Sequence, residues 1–98
     1  MALNSKQRAE LRALANHIET ILQVGKGGVN DQLIKQVEDA LTARELIKLR
    51  ALENAPVFPR EAAQQLAEAT QSEVVQVIGT RFILYRRNPE KPKIQLKS

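Results

Sequence analysis

The chain contains no cysteine. Disulfides, thiolate metal centres and a cysteine nucleophile are therefore excluded, and the absence fits a reducing compartment. Aromatic residues are scarce: Phe58, Phe82 and Tyr85 are the whole set. There is a single histidine, His17, in the polar stretch where the first helix should end, with no serine or carboxylate obviously paired with it. The acids are scattered, and Glu38, Asp39 and Glu45, on or beside a helix whose other face is core, are expected to be solvated surface. No recognised metal-ligand spacing and no nucleophile–base–orienter set follows from these residues. The expectation is a non-enzymatic chain without a cofactor. No apolar run has the length that spans a bilayer. Met1 to Lys6 lacks the apolar core of a secretory signal, so a cytoplasmic location is expected.

What is present is a chain of 98 residues with 43% hydrophobic content, the size and composition of one globular domain. Such a chain buries roughly 60–70% of its unfolded surface. The formal charge is +4, and it is unevenly spread. From Arg81 onward six cations (Arg81, Arg86, Arg87, Lys91, Lys93, Lys97) face one anion, Glu90, for a local charge of +5. The preceding residues hold nine cations and ten anions. A basic terminus on a balanced body points to a polyanionic partner or to a solubilising tail.

The elements read as α-β-α-β-α-β-β. Ser5 is the expected N-cap of a first helix to about Asn16, with Leu11, Leu14, Ala15 and Ile18 as its buried stripe. A strand follows over about Thr20 to Val24. The second helix is expected over Asp31 to Ala43 behind an Asn30 cap, with a Val29–Ile34 hydrophobic staple. Glu45 to Leu52 alternates as a strand, with Ile47, Leu49 and Ala51 on one face and Leu46, Lys48, Arg50 and Leu52 on the other. Pro59 starts a third helix running to Thr70. Val74 to Ile78 and Arg81 to Arg86 form a hairpin across Gly79-Thr80. Beyond Arg87 the chain is polar and broken by Pro89 and Pro92; Ile94 and Leu96 either add a short edge pairing or belong to a flexible tail. Apolar residues on both faces of the later strands call for cover on both sides. The expected fold class is an α/β sandwich with a mixed four-stranded sheet, in a single domain over residues 1–98, with a basic tail from about residue 88.

Three of the four glycines lie in Gly25-Lys26-Gly27-Gly28, between a strand and a helix start. A glycine turn entering a helix presents backbone N–H groups to an anion, and Lys26 adds a positive charge. This is not a P-loop, which needs Gly-x-x-x-x-Gly-Lys-Ser/Thr, and not a dinucleotide fingerprint, because the third glycine after Gly25-x-Gly27 would fall at Asn30. The plain alternative is a tight turn that needs positive φ. Lys48 and Arg50 read as snorkelling edge residues or as a basic stripe beside the loop. Tyr85, among arginines, reads as core or as a ring that stacks on a base.

Gly25-Lys26-Gly27-Gly28, Glu45-Leu46-Ile47-Lys48-Leu49, and Val77-Ile78-Gly79 leading to Leu84-Tyr85-Arg86 together resemble the CRM domain family, whose free-standing bacterial form is YhbY-like. The resemblance spans roughly Leu3 to Leu96. It implies an RNA-binding domain, similar in fold to the C-terminal domain of translation initiation factor three. Gly25, Lys26 and Gly28 match the family's Gly-Lys-x-Gly loop, which is likened to the Gly-x-x-Gly loop of KH domains. Here the loop joins a strand to a helix rather than two helices. The implied partner is RNA, namely ribosomal RNA of a large-subunit precursor, bound by a monomer; a plant-like role in group II intron splicing is the other RNA reading. The expected contacts are Gly25, Lys26, Gly27 and Gly28, with the Gly27 and Gly28 N–H groups and the second helix's N-terminus on a phosphate, extended by Lys48, Arg81, Arg86 and Arg87. A protein-interaction adaptor on ribosome precursors is the alternative from another class.

Overall fold

A computed structural model describes residues 3–96. The elements run α1 (Ser5–Ala15), β1 (Thr20–Val24), α2 (Asp31–Arg44), β2 (Leu46–Ala51), α3 (Pro59–Thr70), β3 (Glu73–Ile78) and β4 (Arg81–Tyr85). Asn4, not Ser5, caps α1. Its Oδ1 accepts from the Gln7 N–H at 2.8 Å, and Gln7 Oε1 accepts from the Asn4 N–H at 3.2 Å. That reciprocal pair is a capping box, and it satisfies two donors where a Ser5 cap would satisfy one. Asn30 caps α2 as expected, accepting from the Leu33 N–H at 2.8 Å. Val29 and Ile34 both pack against the adjoining core. Pro59 opens α3, and Gln71 closes it in the left-handed conformation with φ 55°.

The sheet order is β1-β2-β4-β3. β1 and β2 are parallel, with α2 as the crossover; β2–β4 and β3–β4 are antiparallel. The mixed four-stranded sheet is thus covered on both faces. On one side α2 and α3 bury Val37, Leu41, Ala63 and Leu66 against Ile47, Leu49, Phe82 and Leu84. On the other, α1 sets Leu11 and Ala15 against Leu46, Val75, Ile83 and Tyr85. Tyr85 is core, 2% exposed. The alternation on β2 falls as expected: Ile47, Leu49 and Ala51 are buried towards α2 and α3, and Leu46 towards α1.

Two polar devices finish the α1 side. The Arg8 guanidinium on α1 donates to the Val74 carbonyl, and to that of Val75 at 3.3 Å, both on the outer strand β3 beside a register shift in its pairing with β4. Glu45, between α2 and β2, is fully buried and has φ 66°. Its Oε2 accepts from the Asn88 N–H at 2.6 Å, and its Oε1 from the N–H groups of Lys93 and Ile94 at 2.7 Å each. A buried carboxylate is stable only when its lone pairs are filled in this way. Residues 88–96 are therefore neither an edge strand nor a loose tail. They form an irregular strap held by Glu45, with Ile94 and Leu96 packed on the α1-side core. Lys97 lies outside the described residues.

Candidate functional site

The strand directions bring three connections to one end of the sheet. They are the turn after β1, the segment between β2 and α3, and the β3–β4 hairpin. The Leu52 N–H donates to the Val24 carbonyl at 2.9 Å, and the Ala51 N–H to the Thr80 carbonyl at 2.8 Å, tying all three together.

Gly25 to Gly28 form a closed turn in which the Gly28 N–H donates to the Gly25 carbonyl at 2.9 Å. Lys26 and Gly27 are at the exposed tip; Gly28 is buried. Gly28 has φ +66°, and a Cβ there would come within 2.9 Å of Pro56 Cγ. Both facts demand glycine at this position. A Cβ at Gly27 would come within 2.8 Å of Asn30 Nδ2, on the side chain that caps α2. These constraints correct the expected phosphate cradle. The Gly28 N–H is spent inside the turn and cannot reach a ligand. Asp31 already places a carboxylate in the first turn of α2, where it occupies the favourable end of the helix dipole. What the loop offers an anion is the Lys26 ammonium and the Gly27 N–H, which donates to no backbone carbonyl.

The face of the sheet below this loop is open. α1 covers Leu46, Ile83 and Tyr85 but not the far ends of the strands. There Gln23, Arg50, Arg81 and Ile78 form a row across all four strands, through the pairs Gln23–Arg50, Arg50–Arg81 and Ile78–Arg81. All four side chains are exposed. One step inward, half-buried Lys48 pairs with Ile83. Neither Arg50 nor Arg81 has an acidic partner among the described residues. Like charges directly opposite each other across an antiparallel pair destabilise it. Two arginines in that relation, without a carboxylate to offset them, make a locus of concentrated positive potential.

Of the expected site residues, the structure brings together Gly25, Lys26, Gly27 and Gly28 at the loop with Lys48 and Arg81 on the adjoining face. Arg86 and Arg87 lie at the other end of the sheet, about five strand residues or ~17 Å from Arg81. The Arg86 guanidinium is committed: it donates to Glu38 Oε2 and the Thr70 carbonyl at 2.9 Å each, to Thr42 Oγ1 at 2.9 Å and to the Glu38 carbonyl at 3.2 Å. It joins α2, α3 and β4 rather than extending a ligand track. Arg87 is exposed beside it, on a cleft that Glu38, Glu73 and Glu90 also line. Arg50, which the sequence sets with Lys48 on one face of β2 as snorkelling edge residues or a basic stripe, is not among the expected contacts, and its place opposite Arg81 depends on a register that alternation does not reveal.

No helix is long and apolar enough to cross a membrane. Among the described residues no group of three or more metal-ligating side chains comes together.

Comparison with known proteins agrees with this architecture. The chain is 47% identical to the hypothetical protein SAV1595 from Staphylococcus aureus, whose solution structure superposes with a TM-score of 0.81, covering 98% of this chain and 100% of that one. It is 45% identical over 94 residues to the "Probable RNA-binding protein YqeI" of Bacillus subtilis, covering 96% of this chain and 98% of the relative. It is 34% identical over 98 residues to an "RNA-binding protein" of Haemophilus influenzae, covering 96% and 94%. The CRS1 / YhbY (CRM) domain model matches residues 3–86, taking in the glycine turn, the open basic row and every helix and strand described above, and the chain accordingly belongs to the CRS1/YhbY (CRM) domain family.

Proposed function

We propose that this chain is a non-enzymatic RNA-binding protein that acts on ribosomal RNA during assembly of the large subunit. The observation that carries RNA binding is the Arg50–Arg81 pair, two unneutralised cations facing each other on an open sheet beside the Lys26 turn. Family membership and relatives named as RNA-binding proteins support the same reading. The ribosomal assignment rests on the resemblance to the bacterial YhbY-like form of the family. In this arrangement Lys26 and the Gly27 N–H hold one backbone phosphate, and Arg50, Arg81 and Lys48 take successive ones along the face. Phosphate contacts of this type position an RNA without reading its sequence.

Four neutralised phosphates give a slope of log K against log salt of about −3 to −4. Binding of purified protein to large-subunit ribosomal RNA at graded salt measures it, and a flat dependence rejects the reading. Sedimentation of cell extract supplies the second arm. The protein should travel with large-subunit precursors and leave them after nuclease treatment. Retention on its partner after nuclease treatment would point to an adaptor that contacts protein.

A further inference from the structure

We propose that Phe58 is a stacking platform for an unpaired RNA base next to the phosphate held at the glycine turn. The proposal rests on the RNA reading above and adds to it a preference for single-stranded RNA.

Phe58 is 77% exposed, more than either of the other large exposed apolar side chains among the described residues, Leu14 and Ile78. It occupies the N-cap of α3, where Ser, Thr, Asp or Asn would satisfy a free backbone donor, and its side chain makes no capping hydrogen bond. The residue is unfavourable on both counts: an apolar ring stands in water, and a helix start goes uncapped. Core packing accounts for neither.

The backbone beneath the ring is nevertheless firmly set. The Phe58 carbonyl accepts from the Ala62 N–H at 2.9 Å, and Pro59 fixes the following φ. The ring is thus held on a defined base rather than on a wandering loop. Its position relative to the turn follows from Pro56, which lies against Gly28. Two residues of chain reach at most about 7 Å, so Phe58 lies within that reach of the Pro56 that packs on Gly28, on the segment that adjoins the glycine turn. The neighbouring side chain Arg60 is exposed and cationic. An exposed ring on a segment that also carries an exposed cation suits a base π-face bounded by phosphate. A protein contact of comparable strength would need surrounding apolar cover, which the exposed Arg60 and Glu61 do not provide. Stacking requires a base free of its duplex, which is how proteins generally gain access to RNA bases.

The test compares wild type, Phe58→Ser, Phe58→Leu and Phe58→Trp on a short single-stranded RNA and on the same RNA annealed to its complement. Phe58→Ser supplies the missing cap, so the variant should fold at least as well as wild type, which a urea titration checks. Loss of one stacked base should weaken single-strand binding about 5- to 150-fold, with duplex binding and the salt slope unchanged. Phe58→Trp should retain wild-type affinity and Phe58→Leu should fall with Phe58→Ser. Wild-type affinity in Phe58→Ser, an equal loss on duplex, or full binding by Phe58→Leu overturns the platform while leaving the phosphate site intact. Absence of any RNA binding by wild type removes both readings, whereas reduced affinity in Lys26→Ala together with wild-type affinity in Phe58→Ser marks the case in which only the Phe58 proposal fails. Unchanged RNA affinity with loss of a protein partner would assign the ring to a protein contact and likewise overturn the proposal.

Discussion

Arg50 on β2 stands directly across from Arg81 on β4, and both guanidinium groups are exposed without an acidic partner among the described residues. Their repulsion is a standing cost in the free protein that an anion removes. Arg50→Glu should therefore act in opposite directions on stability and binding. An opposite-charge cross-strand pair contributes about 0.2–1 kcal/mol, so the free variant should unfold at higher urea than wild type while its RNA affinity falls. The gain should shrink as salt screens it. Lower stability in Arg50→Glu at low salt would contradict this account of the pair.

Lys26 is exposed at the tip of its turn. Lys26→Ala should leave the urea midpoint within about 0.5 kcal/mol of wild type, and lower the salt slope of RNA binding by at most about one unit. Affinity and slope equal to wild type would take the turn out of the binding surface.

The glycines of that turn should separate by position. Gly28→Ala forces a Cβ into the left-handed region and against Pro56, and the conformational part alone costs about 1–2 kcal/mol. Gly25→Ala meets only Leu52 Cδ1 at 3.9 Å and should be near neutral. Urea unfolding of the two variants checks the contrast, and equal losses would mean that the turn is mobile enough to absorb either Cβ.

Glu45 organises the C-terminal strap from a distance in sequence. Removing its charge leaves the part-buried N–H groups of Asn88, Lys93 and Ile94 with a poorer acceptor. Glu45→Ala leaves them with none, at about 1–3 kcal/mol for each donor that water does not reach. Hydrogen exchange should accelerate first at those amides in Glu45→Gln, ahead of the sheet. Uniform acceleration across the protein would show instead that the strap and the sheet open as one unit.

Tyr85 reports on the same region through pH. Burial pushes its hydroxyl above the ordinary value of 10.0, the Glu45 carboxylate adds to the rise, and Arg87 opposes it. The folded state therefore favours the neutral phenol more than the unfolded chain does. This contribution to stability is complete below about pH 10 and disappears as pH climbs through the higher folded value. Tyr85 is the only tyrosine, so tyrosinate absorbance isolates it. Its midpoint should exceed that of the urea-unfolded chain, fall in Glu45→Gln and rise in Arg87→Ala. A midpoint equal to that of the unfolded chain would contradict the burial.

Much of the fold could be read locally. Pro59 and the alanine-rich stripe behind it define α3 to the residue, and Asn30 marks the start of α2. The α1 cap is legible in principle: Asn4 followed by Gln7 has capping-box spacing, but Ser5 beside it is an equally good cap residue, and only the hydrogen bonds decide between them. The candidate site was legible only in part. Alternation on β2 puts Lys48 and Arg50 on one face, yet the register that sets Arg50 against Arg81 depends on non-local pairing. Arg86 looks from its neighbours like another free cation; only the packing of α2 and α3 on β4 shows it bound to Glu38. The strap depends on a carboxylate 43 positions before Asn88, and no local pattern announces a partner that far away.

The Arg8 guanidinium over the Val74 and Val75 carbonyls has a consequence for association. Strand-by-strand polymerisation consumes one free rim on each incoming copy and must expose another to continue. With two carbonyls of β3 occupied and its pairing interrupted at the same point, that rim is a poor template. Among the described residues β1 is left as the other rim, paired only with β2. Two copies joining there would use up each other's receptive strand, so growth through this route terminates at a pair instead of running on into a fibre.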